Sequence, residues 1–215
     1  MTDLISGLCA GCAQVAVGHP FDTAKVLIQN NQKWLGLPAC QYYRGWKFPL
    51  MSATIFNCTV FPIYERTINI TNNNTISGGF AGLAVAPLVY LFDIGKIKKQ
   101  TNQKLKFCDF YKTRGLTTTI IRETTAMTVY FGSYNYFKNQ QLHPFISGGL
   151  AGLSNWTVTY PIDVIRSRQM AQNISIRKAI SQGYLWKGYT VCATRATIVN
   201  AAIFTVYEKI NGILK

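Results

Sequence analysis

Three acid–base pairs with the same internal spacing recur along this chain of 215 residues. In each pair a base follows an aspartate by three positions, and the pairs are Asp22 and Lys25, Asp93 and Lys96, and Asp163 and Arg166. Each pair ends a long apolar stretch, where a charged side chain is costly unless it has a partner or faces water. Ion pairs that break and re-form at such a place would open and close one end of a polar pathway, which is the chemistry of a gate.

The spacing allows two ways of pairing these charges. A base three residues after an acid on one helix can pair locally, which stabilises an exposed helix by only about 0.2–0.5 kcal/mol. Three helices placed around one axis can instead pair the acid of one helix with the base of the next. We favour pairing between helices, because three registered copies suit a ring.

The pairs lie inside three copies of a longer pattern, which begin at residues 6, 77 and 147 and are therefore offset by 71 and 70 positions. Each copy starts with Ser-Gly and other small residues and continues as an apolar run. Pro20 and Pro161 share one repeat position, where the second copy has Leu91, and a proline inside a helix kinks it. Such a period indicates three copies of one structural unit. We predict a single domain, 1–215, with repeats of about 1–70, 71–141 and 142–215.

Composition favours a membrane protein. Charged residues make up 14% of the chain, against about 25% in soluble domains. Four windows near the roughly 20 residues needed for a span lack any Asp, Glu, Lys or Arg: Leu4–Phe21, Phe48–Tyr64, Thr67–Phe92 and Asn139–Ile162. Two further segments are interrupted by charge, 115–137 and 189–207. Six helices, two in each repeat, account for all of them and place both termini on one side.

The net charge of +14 is concentrated. Sixteen of the 22 basic residues lie in the stretches 25–47, 96–114 and 166–187, which would share one membrane face. A basic face of this kind sets orientation and attracts anionic lipid. A nucleic-acid-binding or RNA-packaging protein would instead be soluble and carry its charge on an exposed surface, so we expect no nucleic-acid partner.

We expect no enzyme, cofactor or metal site. Cys9 and Cys12 form a CxxC without a second pair at zinc spacing, and they lie among small apolar residues, which indicates helix packing. His19 and His143 are the only histidines, and no Ser/His/Asp set, carboxylate pair or phosphate-binding loop is evident. Asp3 replaces the basic start of a secretory signal, so we also expect no cleavable signal.

A base followed by glycine repeats in the second half of each unit. The three copies are Arg44-Gly45, Arg114-Gly115 and Lys187-Gly188. An aromatic residue, Tyr43 or Trp186, precedes the first and third, whereas Thr113 precedes the second. A glycine at a helix start leaves backbone N–H groups free for an anion. Beside a base, this predicts a seat for a lipid phosphate at the membrane surface.

These motifs resemble those of the mitochondrial carrier family. GHPFDTAKVLIQ and YPIDVIRSRQ fit the family signature Px[DE]xx[KR], LFDIGKIKKQ fits it except for the proline, and YRG and WKG fit [WYF][KR]G. The resemblance covers nearly the whole chain. It implies an all-α membrane protein with six transmembrane helices, arranged as three two-helix repeats in a pseudo-threefold barrel whose odd helices are kinked at proline. It also implies antiport by alternating access in the mitochondrial inner membrane, as a monomer that binds an anionic lipid such as cardiolipin.

The resemblance further implies a gate at each end. On the matrix side the acid of one repeat pairs with the base of the next, which predicts Asp22–Lys96, Asp93–Arg166 and Asp163–Lys25. Gln29 and Gln100 occupy the bracing positions, whereas Met170 in the third copy cannot brace. The cytoplasmic motif [FY][DE]xx[KR] is degraded, and only Glu65 and Lys138 remain to form an ion pair. We therefore predict a weak cytoplasmic gate.

Family members bind substrate seven residues past the base-linked glycine, which here gives Ser52, Arg122 and Arg195. The sequence Arg122-Glu123 and the nearby Trp156 resemble carriers of amino acids and carnitine derivatives. The arginines would clamp a carboxylate, Glu123 would hold an ammonium, and Trp156 would lie against a cationic or alkyl group. Two alternatives are a mutual Arg122–Glu123 ion pair that braces two helices, and simple packing of Trp156.

Other substrates and locations stay open. Ser52 is small for a contact residue, and a basic pore also suits a polyanion, so a nucleotide or deoxynucleotide exchanger is the alternative substrate class. A transport-dead scaffold that kept the fold is a further alternative. The loops between odd and even helices are short in all three repeats, so any matrix helix must be very short. Together with the Asn-rich stretch 69–74, this trimming suggests a compact genome and an alternative location in a viral or other organellar membrane.

Overall fold

The computed structural model describes the backbone of residues 2–195 and 198–199, and the side chains of 14–52, 55–56, 58–143, 146–195 and 198–199. Within these residues the fold is all-α. The helices are α1 (Thr2–Gln29), α2 (Ala39–Tyr42), α3 (Lys47–Thr71), α4 (Asn74–Gln100), α5 (Asp109–Lys112), α6 (Leu116–Asn139), α7 (Pro144–Gln172) and α8 (Ile176–Ser181). Residues 189–195 and 198–199 are also helical, and we call them the final helical segment. The predicted even-helix motif at Tyr207 lies outside the described residues.

Local sequence signals set the helix boundaries. The Asn73 side chain caps α4 by accepting hydrogen bonds from the N–H groups of Thr75 and Ile76 at 2.9 and 3.2 Å, as asparagine commonly does at an N-cap. At the C-terminal end of α3, Asn72 has φ +49°, a left-handed conformation that asparagine tolerates. Pro20 and Pro161 lie inside α1 and α7, so both helices continue through their prolines, as the shared repeat position predicted.

The long helices follow one another around a common axis. Contacts join α3 to α4, α4 to α6 and α6 to α7. The final helical segment then packs on α7, where Tyr160 and Tyr189 meet edge to face at 5.1 Å. It also reaches α1, because a Cβ built on Gly18 would lie 3.1 Å from Val199 Cγ2. Helices α1, α4 and α7 contact one another in all three pairings, so the three acid–base pairs converge.

Glycines bring α4 unusually close to α6. A Cβ built on Gly82 would lie 2.4 Å from the carbonyl oxygen of Glu123, and one built on Gly78 would lie 2.6 Å from that of Met127. At Gly79 the nearest atom is instead a side-chain hydroxyl, Thr128 Oγ1, at 2.9 Å. The Ser-Gly pattern therefore provides the close helix approach that small residues allow. One result is that the backbone of Glu123 is held directly against α4.

The three connections at the charged end are minimal. Helices α2 and α5 have four residues each and α8 has six, as the short loops predicted. By length and apolar composition, α4 is the one described helix that qualifies as a membrane span. The prediction of six spans therefore meets this criterion only in part. Helix α6 carries Arg122, Glu123 and several threonines, as expected for a helix that lines a polar cavity.

Candidate substrate cavity and gate

Three ion pairs join α1, α4 and α7 where these helices converge, each between the acid of one repeat and the base of the next. Lys96 Nζ lies 2.9 Å from Asp22 Oδ2, Lys25 Nζ lies 2.7 Å from Asp163 Oδ2, and Arg166 pairs with Asp93. These are the three pairings expected for a matrix-side gate, and they close a ring between the repeats. All six side chains keep between 8 and 19% of their surface exposed, so each is largely desolvated.

Only one of the two expected glutamine braces has the expected geometry. Gln29 Nε2 donates to Asp163 Oδ2 at 3.2 Å and so supports the Lys25–Asp163 pair. Gln100 Nε2 donates instead to the hydroxyl of Thr23 at 3.0 Å, so the prediction that Gln100 braces an ion pair is wrong in this structure. The Thr23 hydroxyl, next to Asp22 in the chain, accepts the hydrogen bond from the Gln100 amide in place of an aspartate. Met170 is fully buried in an apolar cluster, consistent with its having no bracing role.

A central cavity of about 280 Å³ lies directly above the ring. All five predicted substrate contacts line it: Ser52, Arg122, Glu123, Trp156 and Arg195. The six gate charges line it as well. The gate and the predicted contact site are therefore one continuous polar surface, with the gate as the floor of the cavity.

The predicted contact residues are already paired with protein charges. Arg122 Nη1 lies 2.6 Å from Glu123 Oε1, so the mutual ion pair considered as an alternative is present. Glu123 Oε1 also accepts from Arg166 Nη1 at 3.1 Å. Arg195 Nε approaches Asp22 Oδ1 at 2.6 Å, but without the angle of a hydrogen bond, so we treat it as a charge contact. In this conformation neither arginine is free to clamp a carboxylate.

Three buried atoms of the predicted contact residues have no hydrogen-bond partner among the described residues: Arg122 Nε, Arg195 Nε and Glu123 Oε2. Glu123 Oε2 is the acceptor among them. Glu123 is fully buried, and its second carboxylate oxygen, Oε2, accepts no hydrogen bond from any described residue. A buried acceptor without a donor is costly, by roughly 1–3 kcal/mol or more when it is charged. A cationic N–H group entering the cavity would remove that cost.

Trp156 presents its ring to cations. Lys25 Nζ lies 4.5 Å from the ring centroid, and the Arg122 guanidinium carbon lies 5.5 Å from it. Contacts of this kind contribute about 0.5–2 kcal/mol, depending on desolvation. A cationic substrate group would compete with these two side chains for the ring. Ser52 also lines the cavity, where its hydroxyl donates to the carbonyl of Pro49 at 3.1 Å.

The opposite end of the bundle carries no comparable network among the described residues. Glu65 and Lys138 are both exposed, and no ion pair joins these two side chains. Tyr64 packs instead on Phe131, with ring centroids 4.0 Å apart, and its hydroxyl donates to Asn74 Oδ1 at 2.5 Å. The third copy of this motif, at Tyr207 and Glu208, lies outside the described part of the chain.

The glycines of the base-glycine elements all adopt left-handed backbone angles. Gly45, Gly115 and Gly188 have φ of +80°, +132° and +87°, which favours glycine over other residues. Each packs on the end of a helix from the next repeat, because a Cβ would lie 3.2 Å from Lys99 Cβ, 3.2 Å from Met170 Cγ and 3.2 Å from Ile28 Cγ2, respectively. The bases of these elements contact asparagines of the neighbouring repeat, which no motif had marked.

Two basic residues that the motifs did not single out position the connections. Arg168 is fully buried and donates to the carbonyl oxygens of Gln29, Ala179 and Gly183 at 2.8–3.0 Å. At the equivalent position of the second repeat, Lys98 Nζ lies 2.9 Å from Asp109 Oδ1. Together with the N–H of residue 106, Lys98 holds the pKa of the Asp109 carboxyl below its usual value.

A helical bundle with a polar cavity, closed at one end by ion pairs, is typical of a solute transporter. Comparison with known proteins then identifies the family. The family model described as mitochondrial carrier protein matches residues 1–35 and 139–215. The chain is 30% identical to mitochondrial substrate carrier family protein S of Dictyostelium discoideum, over 100% of this chain and 98% of that protein. The chain therefore belongs to the mitochondrial carrier family, and it is a membrane transporter and not an enzyme.

Two further relatives have names that specify substrates. The mitochondrial arginine transporter BAC2 of Arabidopsis thaliana is 29% identical over 96% of this chain and 89% of that protein. The mitochondrial basic amino acids transporter of Bos taurus is 27% identical over 94% of this chain and 88% of that protein. The first alignment spans 278 positions for a chain of 215 residues. The chain is therefore shorter than this relative while matching it from end to end.

Proposed function

We propose that this chain exchanges basic amino acids across the mitochondrial inner membrane by alternating access. The observation that carries the proposal is the unpaired Oε2 of Glu123, buried in a cavity that also contains two arginines and an aromatic face. A basic amino acid brings a carboxylate for the arginines and N–H donors for the glutamate. The names of the arginine and basic amino acid transporters among the relatives support the same substrate class.

The contact residues connect the substrate to all three gate pairs. Arg195 shares Asp22 with Lys96, Glu123 shares Arg166 with Asp93, and Trp156 holds Lys25, the partner of Asp163. The three connecting contacts are 2.6 Å for Arg195–Asp22, 3.1 Å for Glu123–Arg166 and 4.5 Å from Lys25 Nζ to the Trp156 ring centroid. A substrate that takes over these three contacts therefore removes one additional contact from a member of each ion pair of the ring.

Substrate binding would drive opening through this exchange of partners. The carboxylate replaces Asp22 on Arg195, and the substrate cation replaces Arg166 at Glu123. The closed state thereby loses a contact between the final helical segment and α1, and another between α6 and α7. A ligand shifts a conformational equilibrium only by its difference in affinity for the two states. Because the ring pairs are formed, we assign the structure to the state closed on the matrix side. To promote opening, the substrate must bind the transition state between the closed and open conformations more tightly than it binds the closed conformation.

The charge of the cavity favours this substrate over a nucleotide. Its lining has five bases and four acids, a net charge of only +1. A nucleoside triphosphate would need an excess of bases, whereas a zwitterion with a cationic side chain needs both signs. A quaternary ammonium such as that of carnitine has no N–H to donate to Glu123. The nucleotide and carnitine alternatives are therefore less well supported than a basic amino acid.

The remaining assignments are part of the same proposal. We place the protein in the inner membrane as a monomer, with six spans, and with anionic lipid seated at Gly45, Gly115 and Gly188. The matrix side is the end that carries the ion-pair ring. The support is the family's location, the basic residues around this end and the left-handed glycines at the helix starts.

The test is exchange in liposomes with radiolabelled arginine and its neutral isostere citrulline. Glu123→Gln keeps the size of the side chain but removes its charge, and a charged hydrogen bond contributes about 1.5–3 kcal/mol. We expect arginine uptake to fall roughly 10- to 100-fold, and citrulline uptake to change much less. An equal loss for both solutes would mean that Glu123 only supports the fold. Uptake of ATP or dTTP but not of arginine would overturn the proposal in favour of the nucleotide exchanger.

A further inference from the structure

Three asparagines mark the ends of α1, α4 and α7 on the matrix side. Asn31, Asn102 and Asn173 are each separated by 71 residues and have φ of +57°, +60° and +53°. At α1 and α4 they stand within a Schellman motif, since the N–H of the following glutamine bonds to the carbonyls of Leu27 and Lys98 at 2.9 and 2.8 Å. The backbone at these positions is therefore left-handed.

Each asparagine oxygen accepts a hydrogen bond from the base-glycine element of the preceding repeat. Lys187 Nζ donates to Asn31 Oδ1 at 2.6 Å, and the Arg44 side chain donates to Asn102 Oδ1. In the third link the backbone N–H of Arg114, and not its side chain, donates to Asn173 Oδ1 at 2.9 Å. The three links thus form a second ring around the matrix end.

This ring spans the same three interfaces as the ion pairs, in the same direction. Repeat one is tied to repeat two by Asp22–Lys96 and by Arg44–Asn102. The interfaces between repeats two and three, and between three and one, each carry one ion pair and one asparagine link in the same way. Separation of the helix ends would have to break both rings.

A purely local role does not account for the side-chain bonds. Glycine is the usual residue at a left-handed helix end and would satisfy the backbone without a side chain. Asn72 serves as a comparison, because it ends α3 with φ +49°. Its side chain makes no hydrogen bond to another described residue. The amide is therefore used at the three matrix-side ends and not at this end.

We propose that Asn31, Asn102 and Asn173 form a matrix-side latch that stabilises the closed state alongside the ion-pair gate. The inference rests on the proposed alternating access, because a latch requires an end that opens. Its members carry no charge, do not line the cavity and need not contact the substrate. They act as positioning residues that hold the base-glycine elements against the neighbouring helix ends.

Substitutions can separate the side chain from the backbone. Asn→Gly removes the amide while keeping the left-handed conformation available. Asn→Asp keeps the acceptor and adds a charge, which strengthens a bond from a cationic donor. We therefore expect opposite effects from the two changes at Asn31 and Asn102, which face Lys187 and Arg44. At Asn173, whose donor is a backbone N–H, the aspartate should have a smaller effect. Asn72→Gly is the matched control.

Opening can be measured without knowing the substrate. Cys192 lines the cavity and is buried, whereas Cys108 is exposed on the matrix-side connection. With the other cysteines replaced by alanine, a charged methanethiosulfonate added outside proteoliposomes labels Cys108 only on molecules whose matrix face is outward. Intact mass then gives the rate at which those molecules gain a second label at Cys192. Asp22→Asn serves as a variant that weakens the ion-pair gate directly.

We expect each Asn→Gly change to raise the rate of the second label about fivefold, which corresponds to about 1 kcal/mol at 1.4 kcal/mol per tenfold. Asn31→Asp or Asn102→Asp should lower this rate, and Asn72→Gly should leave it unchanged. If Asp22→Asn raises the rate but Asn→Gly does not, the latch is wrong and alternating access stands. If neither raises it, the matrix end does not open, and both the latch and the proposed function are overturned.

Discussion

The three gate aspartates occupy equivalent repeat positions, yet the structure predicts that their removal has unequal effects. Asp22 holds two cations, Lys96 at 2.9 Å and Arg195 at 2.6 Å. Asp93 holds Arg166, which also contacts Glu123 at 3.1 Å. Side-chain exposure does not separate them, since Asp22 keeps 15% and Asp93 19% of its surface. The number of cations left without a carboxylate is therefore the deciding quantity.

The magnitudes follow from the partners that remain. Breaking a buried pair by removing one partner costs about 3–5 kcal/mol, and partial exposure places Asp22→Asn near the low end, about 3 kcal/mol. After Asp93→Asn, Arg166 keeps Glu123, so we expect about 1 kcal/mol. After Asp163→Asn, Lys25 keeps its contact with Trp156, which contributes about 1 kcal/mol. The loss of stability in this variant should therefore lie between the other two, at about 2 kcal/mol.

The assay is the thermal unfolding midpoint of the purified protein in detergent. For a chain of this size 1 kcal/mol corresponds to roughly 2–4 °C, so Asp22→Asn should lower the midpoint by about 6–12 °C and Asp93→Asn by about 2–4 °C. The double variant Asp22→Asn with Arg195→Gln should recover part of the loss, because one stranded cation is removed. Equal losses for all three aspartates, or the largest loss for Asp93, would refute the reasoning.

Three further outcomes can be checked on single variants. Gly82→Ala should destabilise the protein by about 1–3 kcal/mol, which lowers the midpoint and the exchange rate. Gly79→Ala should cost less, because its Cβ would meet side-chain atoms of Thr128 and Thr124 and not the backbone. Arg168→Met should lower the midpoint by several degrees because three backbone carbonyls lose their buried donor, with partial recovery in Arg168→Lys. The pKa of the Asp109 carboxyl is depressed by Lys98. The stability that the Lys98–Asp109 ion pair contributes is therefore complete above the usual aspartate pKa of about 3.9, and it is lost as the pH falls below that value. Acrylamide should therefore quench a fluorophore on Cys108 more strongly only below about pH 4. In Asp109→Asn, which lacks the carboxylate, quenching should be stronger at every pH.

The ion-pair ring was predictable because the spacing favoured pairing between repeats over local pairing, and the resemblance to the carrier family implied the three partners. Three acids and three bases in register, on helices that meet, have few other ways to be neutralised. The short matrix helices followed from loop length in the same way. These features belong to the repeat, and a repeat is visible in a sequence without coordinates.

What sequence could not supply is the competition for partners. Arg122 and Arg195 were expected to be available to a substrate. Because desolvation makes an unpaired buried cation costly, both instead contact nearby carboxylates in this structure. Gln100 was expected to brace a charge, and the hydroxyl of Thr23 reaches its amide first. The latch asparagines carry no motif, and their 71-residue spacing gains meaning only from their left-handed backbone.

The length of α1 sets the depth at which the ion-pair ring would stand if this helix spans the bilayer. Asp22 lies 20 residues after Thr2, the first residue of α1, which is about 30 Å along a helix at 1.5 Å per residue. That distance equals the usual hydrocarbon thickness of about 30 Å. If α1 enters at one headgroup layer, the ion-pair ring stands at the other, beside lipid phosphates and not in the hydrocarbon. Bilayers a few ångströms thinner or thicker would then move this boundary across the ring, so acyl-chain length becomes a variable that acts on the gate itself.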